Sequence, residues 1–141
     1  MPSDNPPLLT AEEVRELGER TLAARELSYC RYSHFKVGAV IYTDKGEFVE
    51  GANVENASYG ACICAEQTAV TKAITSRKFG FRAIGVASSA GTTTPPCGIC
   101  RQVLREFAPN ILIYMFDEHK NFVMDSLDSM LPRSFGPEDL I

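Results

Sequence analysis

Several features are missing from this 141-residue chain, and each absence narrows what it can be. No long hydrophobic run is present. The longest, Ile111 to Phe116, spans six residues, far short of the ~20 that an α-helix needs to cross a bilayer. No basic surplus exists either: 14 Lys and Arg stand against 18 Asp and Glu, for a net charge of -4. A protein that grips a polynucleotide needs a cationic face to neutralise phosphates. Arg101 and Arg105 share a helical face but read as an ordinary solvated surface, so no polynucleotide partner and no membrane are expected. The five cysteines do not make an even set, and no N-terminal segment pairs a basic stretch with an apolar one as an export signal would. A disulfide framework is therefore not expected. The thiols read better as metal ligands or catalytic groups in a reducing, cytoplasmic compartment. Internal repeats are lacking. The only biased tract is the polar, proline-rich start, which leaves 1–9 as a loose tail and 10–141 as a single domain.

What is present reads as alternating helices and strands. Thr10-Ala11-Glu12-Glu13 has the form of a capping box, and a helix is expected from there to about Leu27, with Val14, Leu17, Thr21, Ala24 and Leu27 as its less polar stripe. Phe35, Val37, Ala39 and Ile41 alternate as in a strand. Asp44-Lys45-Gly46 is a turn signal, and Phe48 to Val54 returns as the second strand of a hairpin. A helix over Ala65 to Thr75, a strand over Phe81 to Ala87 and a Gly/Thr/Pro loop follow. Then come a helix over Cys97 to Phe107 with Val103, Leu104 and Phe107 inward, and the apolar run Ile111 to Phe116 as a buried strand. Phe122 to Met124 is an edge strand, and a short helix lies around Leu127 to Leu131. This order predicts an α/β fold, an α/β/α sandwich with a central mixed sheet of about five strands and helices on both faces.

Chemistry concentrates in two short runs, Cys64-Ala65-Glu66 and Pro96-Cys97-Gly98-Ile99-Cys100. Three thiolates are one ligand short of a closed tetrahedral zinc shell, and an open fourth position is what separates catalytic from structural zinc sites. Glu66, two residues from a candidate ligand, is placed to move protons. Cys97 and Cys100 are spaced to share one face of a helix that starts near Pro96, and Cys64 stands where its own helix should begin. Two helix N-termini, each worth about half a positive charge, offset the net negative charge that three thiolates leave on a zinc ion. One alternative stays open. Cys62 could close a four-thiolate structural site, although Cys-x-Cys lies outside the usual spacing of two to four intervening residues. Cys62 and Cys30 otherwise read as inert packing residues.

These runs, together with Tyr32-Ser33-His34-Phe35-Lys36-Val37-Gly38-Ala39, the stretch Gly51 to Tyr59 and the stretch Leu131 to Leu140, resemble the short, homotetrameric, zinc-dependent cytidine deaminases. The likeness runs from about Ser28 to the C-terminus. It implies one Zn²⁺ per chain held by Cys64, Cys97 and Cys100, with Glu66 as the catalytic proton carrier. Phe35 would lie against the pyrimidine. Asn53 and Glu55 would hold the ribose hydroxyls, and Ala57, Tyr59, Ala65 and Phe135 would complete the substrate contacts, some from a neighbouring subunit. The implied reaction is hydrolytic deamination of cytidine and 2′-deoxycytidine in pyrimidine salvage. A related deaminase acting on another base is the alternative. Two positions depart from the pattern: Gln67 and Arg31 stand where relatives commonly carry arginine and proline. Gln67 brings no charge to a negative site, although its amide can still hydrogen-bond a thiolate.

Overall fold

The computed structural model describes residues 7–140. A five-stranded sheet is built in the order β2-β1-β3-β4-β5. Its strands are β1 (Val37–Thr43), β2 (Phe48–Ala52), β3 (Phe81–Ser88), β4 (Leu112–Phe116) and β5 (Phe122–Ser126). The helices are α1 (Ala11–Ala24), α2 (Ala65–Thr75), α3 (Gly98–Phe107) and the short α4 (Leu127–Met130). The expected mixed α/β/α sandwich is what forms.

Strand direction places the functional end of the sheet. β1 runs antiparallel to both β2 and β3, while β3 and β4 are parallel. Hence β2, β3 and β4 all point the same way, and β2-α2-β3 and β3-α3-β4 are both parallel crossovers. A crossover helix begins where the strand before it ends. The N-termini of α2 and α3 therefore emerge at one edge of the sheet, beyond the carboxyl ends of β2 and β3. Open α/β sheets place their ligand crevices at such edges.

Period-two alternation sorts the strand residues between two cores. Ala39, Ile41, Ile84, Val86, Ile113 and Met115 face α2 and α3, meeting Ala65, Ala69, Val70, Ala73 and Leu104. Val40, Tyr42, Ala83, Ala87, Leu112, Tyr114 and Phe116 face α1, meeting Leu17 and Ala24. Each fully buried Leu, Ile or Val contributes about 1.5–3 kcal/mol of transfer free energy. Thr21, fully buried among them, donates its hydroxyl to Leu17 O at 2.6 Å and so leaves no orphan polar atom. The Thr10 capping box forms as expected, with Thr10 N donating to Glu13 Oε1 at 2.8 Å and Glu13 N to Thr10 Oγ1 at 3.1 Å.

The boundaries differ from expectation in instructive places. α1 ends at Ala24 and tightens into a 3₁₀ turn, Arg25–Leu27, which turns Leu27 out to solvent. β1 starts at Val37, because His34 takes a positive φ of 57° and breaks the extended run that Phe35 was expected to open. β2 stops at Ala52, beyond which Val54 makes only isolated bridges to Tyr29 and Ile63. Phe107, expected inward, is half exposed against Phe81. Of the expected tail, 1–6 lie outside the described residues, whereas Leu9 is buried and Arg82 donates to Leu8 O at 3.2 Å.

One glycine sets the position of α2. A methyl group on Gly51 would stand 2.4 Å from Ala69 N and 2.6 Å from Ala65 O, so β2 admits the helix backbone only because a side chain is missing there. Gly51→Ala should cost about 3 kcal/mol by overpacking and, by pushing α2 off the sheet, should also lower zinc content. Urea unfolding combined with elemental analysis checks both. A second prediction concerns pH. Tyr42 OH donates to Glu13 Oε2 at 2.5 Å, with Arg82 Nη1 3.4 Å from the same oxygen. The Tyr42 hydrogen bond holds the Glu13 carboxyl below its usual 4.5, and the same bond holds the Tyr42 phenol above its usual 10.0. The carboxylate contribution is complete above the unfolded value and is lost as pH falls through the lowered one. The phenol contribution is complete below about 10 and is lost as pH rises through the raised value. Tyr42→Phe should therefore lose about 1 kcal/mol between roughly pH 5 and 9, with a difference that shrinks on further acidification.

Candidate active site

Two cysteines cap two helices. Cys64 is the N-cap of α2 at φ -74°, ψ 158°, and Cys97 is the N-cap of α3 at φ -70°, ψ 172°. An N-cap residue has extended backbone and turns its side chain back over the first turn. Cys97 therefore meets Cys100 as N-cap and third helical residue, with the sulfurs 3.5 Å apart. The expected shared helical face is replaced by cap geometry, and Pro96 precedes the cap instead of opening the helix. The same reasoning brings Cys64 and Glu66 together. Two helical residues at this spacing would diverge by about 200°, but an N-cap lies outside helical periodicity.

The Sγ atoms of Cys64, Cys97 and Cys100 all lie within 4.8 Å of one another, the one such cluster of potential ligands among the described residues. Sulfurs placed tetrahedrally at 2.3 Å around zinc are about 3.8 Å apart, so the set fits that ion. Cys62 stands outside the triangle. Its sulfur accepts from Asn56 N at 3.3 Å and lies 3.6 Å from Asn56 O, and its side chain is exposed, not packed away as expected. No fourth thiol joins the three in a cluster among the described residues.

The cluster is held from both sides. Gln67 Oε1 accepts from Cys64 N at 3.0 Å, so its amide serves the backbone of the first cysteine. Arg101 donates to Pro96 O and Met130 O, each at 2.8 Å, and clamps the loop that delivers Cys97. Arg105 is only 14% exposed, paired with Glu138 and donating to Ser134 Oγ at 2.7 Å. The expected solvated arginine face is a pair of structural clamps.

The four groups are tuned in different directions. Burial pushes the Cys64 thiol up, and burial together with the nearby Glu66 charge pushes Cys100 strongly up. At Cys97 burial works the same way, but the N–H groups of Cys100 and Ile99 and the neighbouring thiols outweigh it and hold the thiol below its usual value. Glu66 is only 4% exposed. Burial raises its carboxyl above the usual carboxylate range, against hydrogen bonds from its own N–H and the Cys100 thiol. Crowded thiols that resist losing their protons in the protein alone are what a bound cation would relieve.

A cavity of about 280 Å³ opens over the cluster. Of the residues named from sequence, Asn53, Glu55, Cys64, Ala65, Glu66, Cys97 and Cys100 line it, and so does Cys62, which was expected to pack away if it was not a ligand. Phe35, Ala57, Tyr59 and Phe135 do not. Phe35 is 41% exposed at the rim, Tyr59 is 76% exposed and borders a neighbouring depression, and Phe135 is 56% exposed on the C-terminal segment. Sequence reasoning missed Val37, Ile63, Val86, Thr94 and Pro95 in the lining. Thr94 and Pro95 directly precede Pro96-Cys97, and that adjacency was the available signal.

The comparisons with known proteins agree with this geometry. Residues 11–116 match the family model described as the cytidine and deoxycytidylate deaminase zinc-binding region. Among relatives, a cytidine deaminase of Mycobacterium tuberculosis is 40% identical over 124 residues, covering 87% of this chain and 89% of that protein. One of Halalkalibacterium halodurans is 37% identical over 123 residues, covering 86% and 93%. The crystal structure of cytidine deaminase from Burkholderia pseudomallei superposes with a TM-score of 0.83 at 38% identity, covering 90% of this chain and all of that one. Fold and three-sulfur site thus define a zinc-dependent deaminase. The chain belongs to the cytidine and deoxycytidylate deaminase family.

Three ligands and four make different predictions for metal content. Cys97→Ala should lose zinc, whereas Cys62→Ala should keep one ion per chain. Elemental analysis of the folded variants separates the two, and loss of zinc from Cys62→Ala would indicate a closed four-sulfur shell.

Proposed function

We propose that this protein hydrolyses the 4-amino group of cytidine and 2′-deoxycytidine, yielding the uridine forms and ammonia, as a step of pyrimidine salvage in the cytoplasm. The observation that carries the reading is the buried Glu66 carboxyl beside three gathered thiols, at the floor of a cavity rimmed by Asn53 and Glu55. Zinc held by Cys64, Cys97 and Cys100 supplies, when bound, a Lewis acid that makes water nucleophilic near neutral pH. Glu66 does the proton work. Its raised pKa brings it closer to neutrality, where a group can both take and give a proton. It takes the proton that water releases as the C4–O bond forms, and passes it to ring N3. It then takes the proton of the new C4 hydroxyl and delivers it to the amino group, so that the C4 carbonyl forms as the C4–N bond breaks and ammonia leaves. Ala65, the first helical residue between Cys64 and Glu66, has a backbone N–H without an intrahelical partner, suited to a carbonyl oxygen of the base.

Hydrogen-bond capacity supports a particular sugar contact. Asn53 Oδ1 accepts from Ser28 Oγ at 2.7 Å and Val37 N at 2.9 Å, while Nδ2 donates to Phe35 O at 2.8 Å. One N–H remains. Glu55 Oε1 accepts from Tyr32 N and Ser33 N, each at 3.1 Å, and Oε2 accepts from the Ser33 hydroxyl. With about four lone-pair sites on a carboxylate, one acceptor position remains. One substrate hydroxyl can use both, accepting from Asn53 and donating to Glu55. The 3′-hydroxyl is the one ring hydroxyl common to ribose and 2′-deoxyribose, which accords with both nucleosides as substrates. Phe35 is read as the aromatic wall for the pyrimidine. Ala57, Tyr59 and Phe135 lie outside the cavity of their own chain, which accords with a homotetramer whose sites lie near subunit interfaces.

Glu66→Gln should keep one zinc per chain yet lose at least ~10²-fold in kcat, followed by the ultraviolet absorbance loss on adding cytidine. Turnover near the wild-type rate in that variant would remove Glu66 from the reaction.

A further inference from the structure

The segment from Tyr29 to Phe35 is stitched alongside Asn53 to Glu55. Tyr29 N donates to Asn53 O at 3.0 Å, and Glu55 N donates to Tyr29 O at 2.8 Å. His34, with its positive φ, reverses the chain so that Ser33 faces back onto its own successor and across to Glu55. The Ser33 hydroxyl accepts from Phe35 N at 3.0 Å and donates to Glu55 Oε2. One hydroxyl therefore ties the backbone of the proposed base wall to the proposed sugar acceptor.

We infer that Ser33 is a positioning residue for sugar recognition: by occupying one lone pair of Glu55 Oε2 it aims the single remaining acceptor position at the substrate hydroxyl. The inference rests on the reading that Asn53 and Glu55 take the sugar. Oε1 is fixed by two backbone N–H groups, but among the described residues Oε2 has no hydrogen-bond partner besides Ser33. Without the hydroxyl, the carboxylate is anchored through Oε1 alone and the open lone pair of Oε2 is less closely aimed. Glu55 is a carboxylate with or without this bond, which is the leading cause of its lowered pKa and only deepens the preference for the charged form. A charged acceptor binds a hydroxyl more strongly than a neutral one. Ser33 touches neither the sulfur cluster nor Glu66, so it acts on affinity for the nucleoside and not on proton transfer.

The test uses the zinc-loaded, full-length protein in steady-state assays. Ser33→Ala should raise KM for cytidine about tenfold while kcat stays within about threefold, the size expected for one lost hydrogen bond to a charged group. Ser33→Thr, which keeps the hydroxyl, should restore KM. In a Glu55→Gln background, Ser33→Ala should add less than about twofold, because the two residues act as one unit. With 2′,3′-dideoxycytidine, which lacks both ring hydroxyls, Ser33→Ala and wild type should share the same kcat/KM. A fall in kcat that is equal for cytidine and the dideoxy analogue would show a general loop defect and overturn the inference. An unchanged KM in Ser33→Ala alongside a raised KM in Glu55→Gln would overturn it while leaving the Glu55 reading intact. An unchanged KM in Glu55→Gln would remove that reading and this inference with it.

Discussion

The site depends on the convergence of two helix N-termini at one edge of the sheet. Because β2, β3 and β4 run parallel, α2 and α3 must both begin beyond the same strand ends. Each start places unpaired backbone N–H groups at that edge. Sulfur at those two caps then meets the positive ends of two dipoles, which favour the ionised form. Topology thus supplies a location for negative ligands before any metal enters. Gly51 on β2 lets α2 approach closely enough for the two caps to meet.

That edge also separates the protonation behaviour of groups lying within a few ångströms. Cys97, facing N–H groups at the start of α3, ionises more readily than an ordinary thiol, while Cys100 and Glu66, deeper in, resist ionisation. Burial sets the second pair and backbone hydrogen bonding sets the first. A carboxyl that resists losing its proton beside a shell of thiols is suited to a carrier role that an exposed glutamate could not fill. Exposed ion pairs on α1, such as Arg20–Glu16 at 3.0 Å, have no comparable leverage because water screens them.

Much of this was legible in the chain. Alternation gave the sheet, and the cysteine spacing gave the ligands, because cap and third-residue positions keep their sequence separation wherever a helix starts. Less legible were features decided by a single backbone angle or by distant partners. Phe35 looks like a strand residue until His34 turns the chain. Leu27 fits the stripe of α1 until the last turn tightens. Arg101 and Arg105 look solvated because their acceptors, Met130 O and the Ser134–Glu138 segment, are remote in sequence. Tyr59 and Phe135 belong to motifs that resemble substrate contacts, yet in one chain they face away from the cavity. Local pattern carries no information about which surface a side chain completes.

The clamps on the cysteine loops have a consequence for how the protein acquires its ion. Cys64 rides on a helix seated against Gly51, and Cys97 on a loop pinned by Arg101. Both anchors are made of contacts that owe nothing to the ion. Contacts that restrain ligand-bearing loops lower the conformational entropy surrendered when an ion is bound. A zinc finger gathers its ligands only around the ion, whereas here Gly51 and Arg101 hold the two cysteine loops through contacts within the protein.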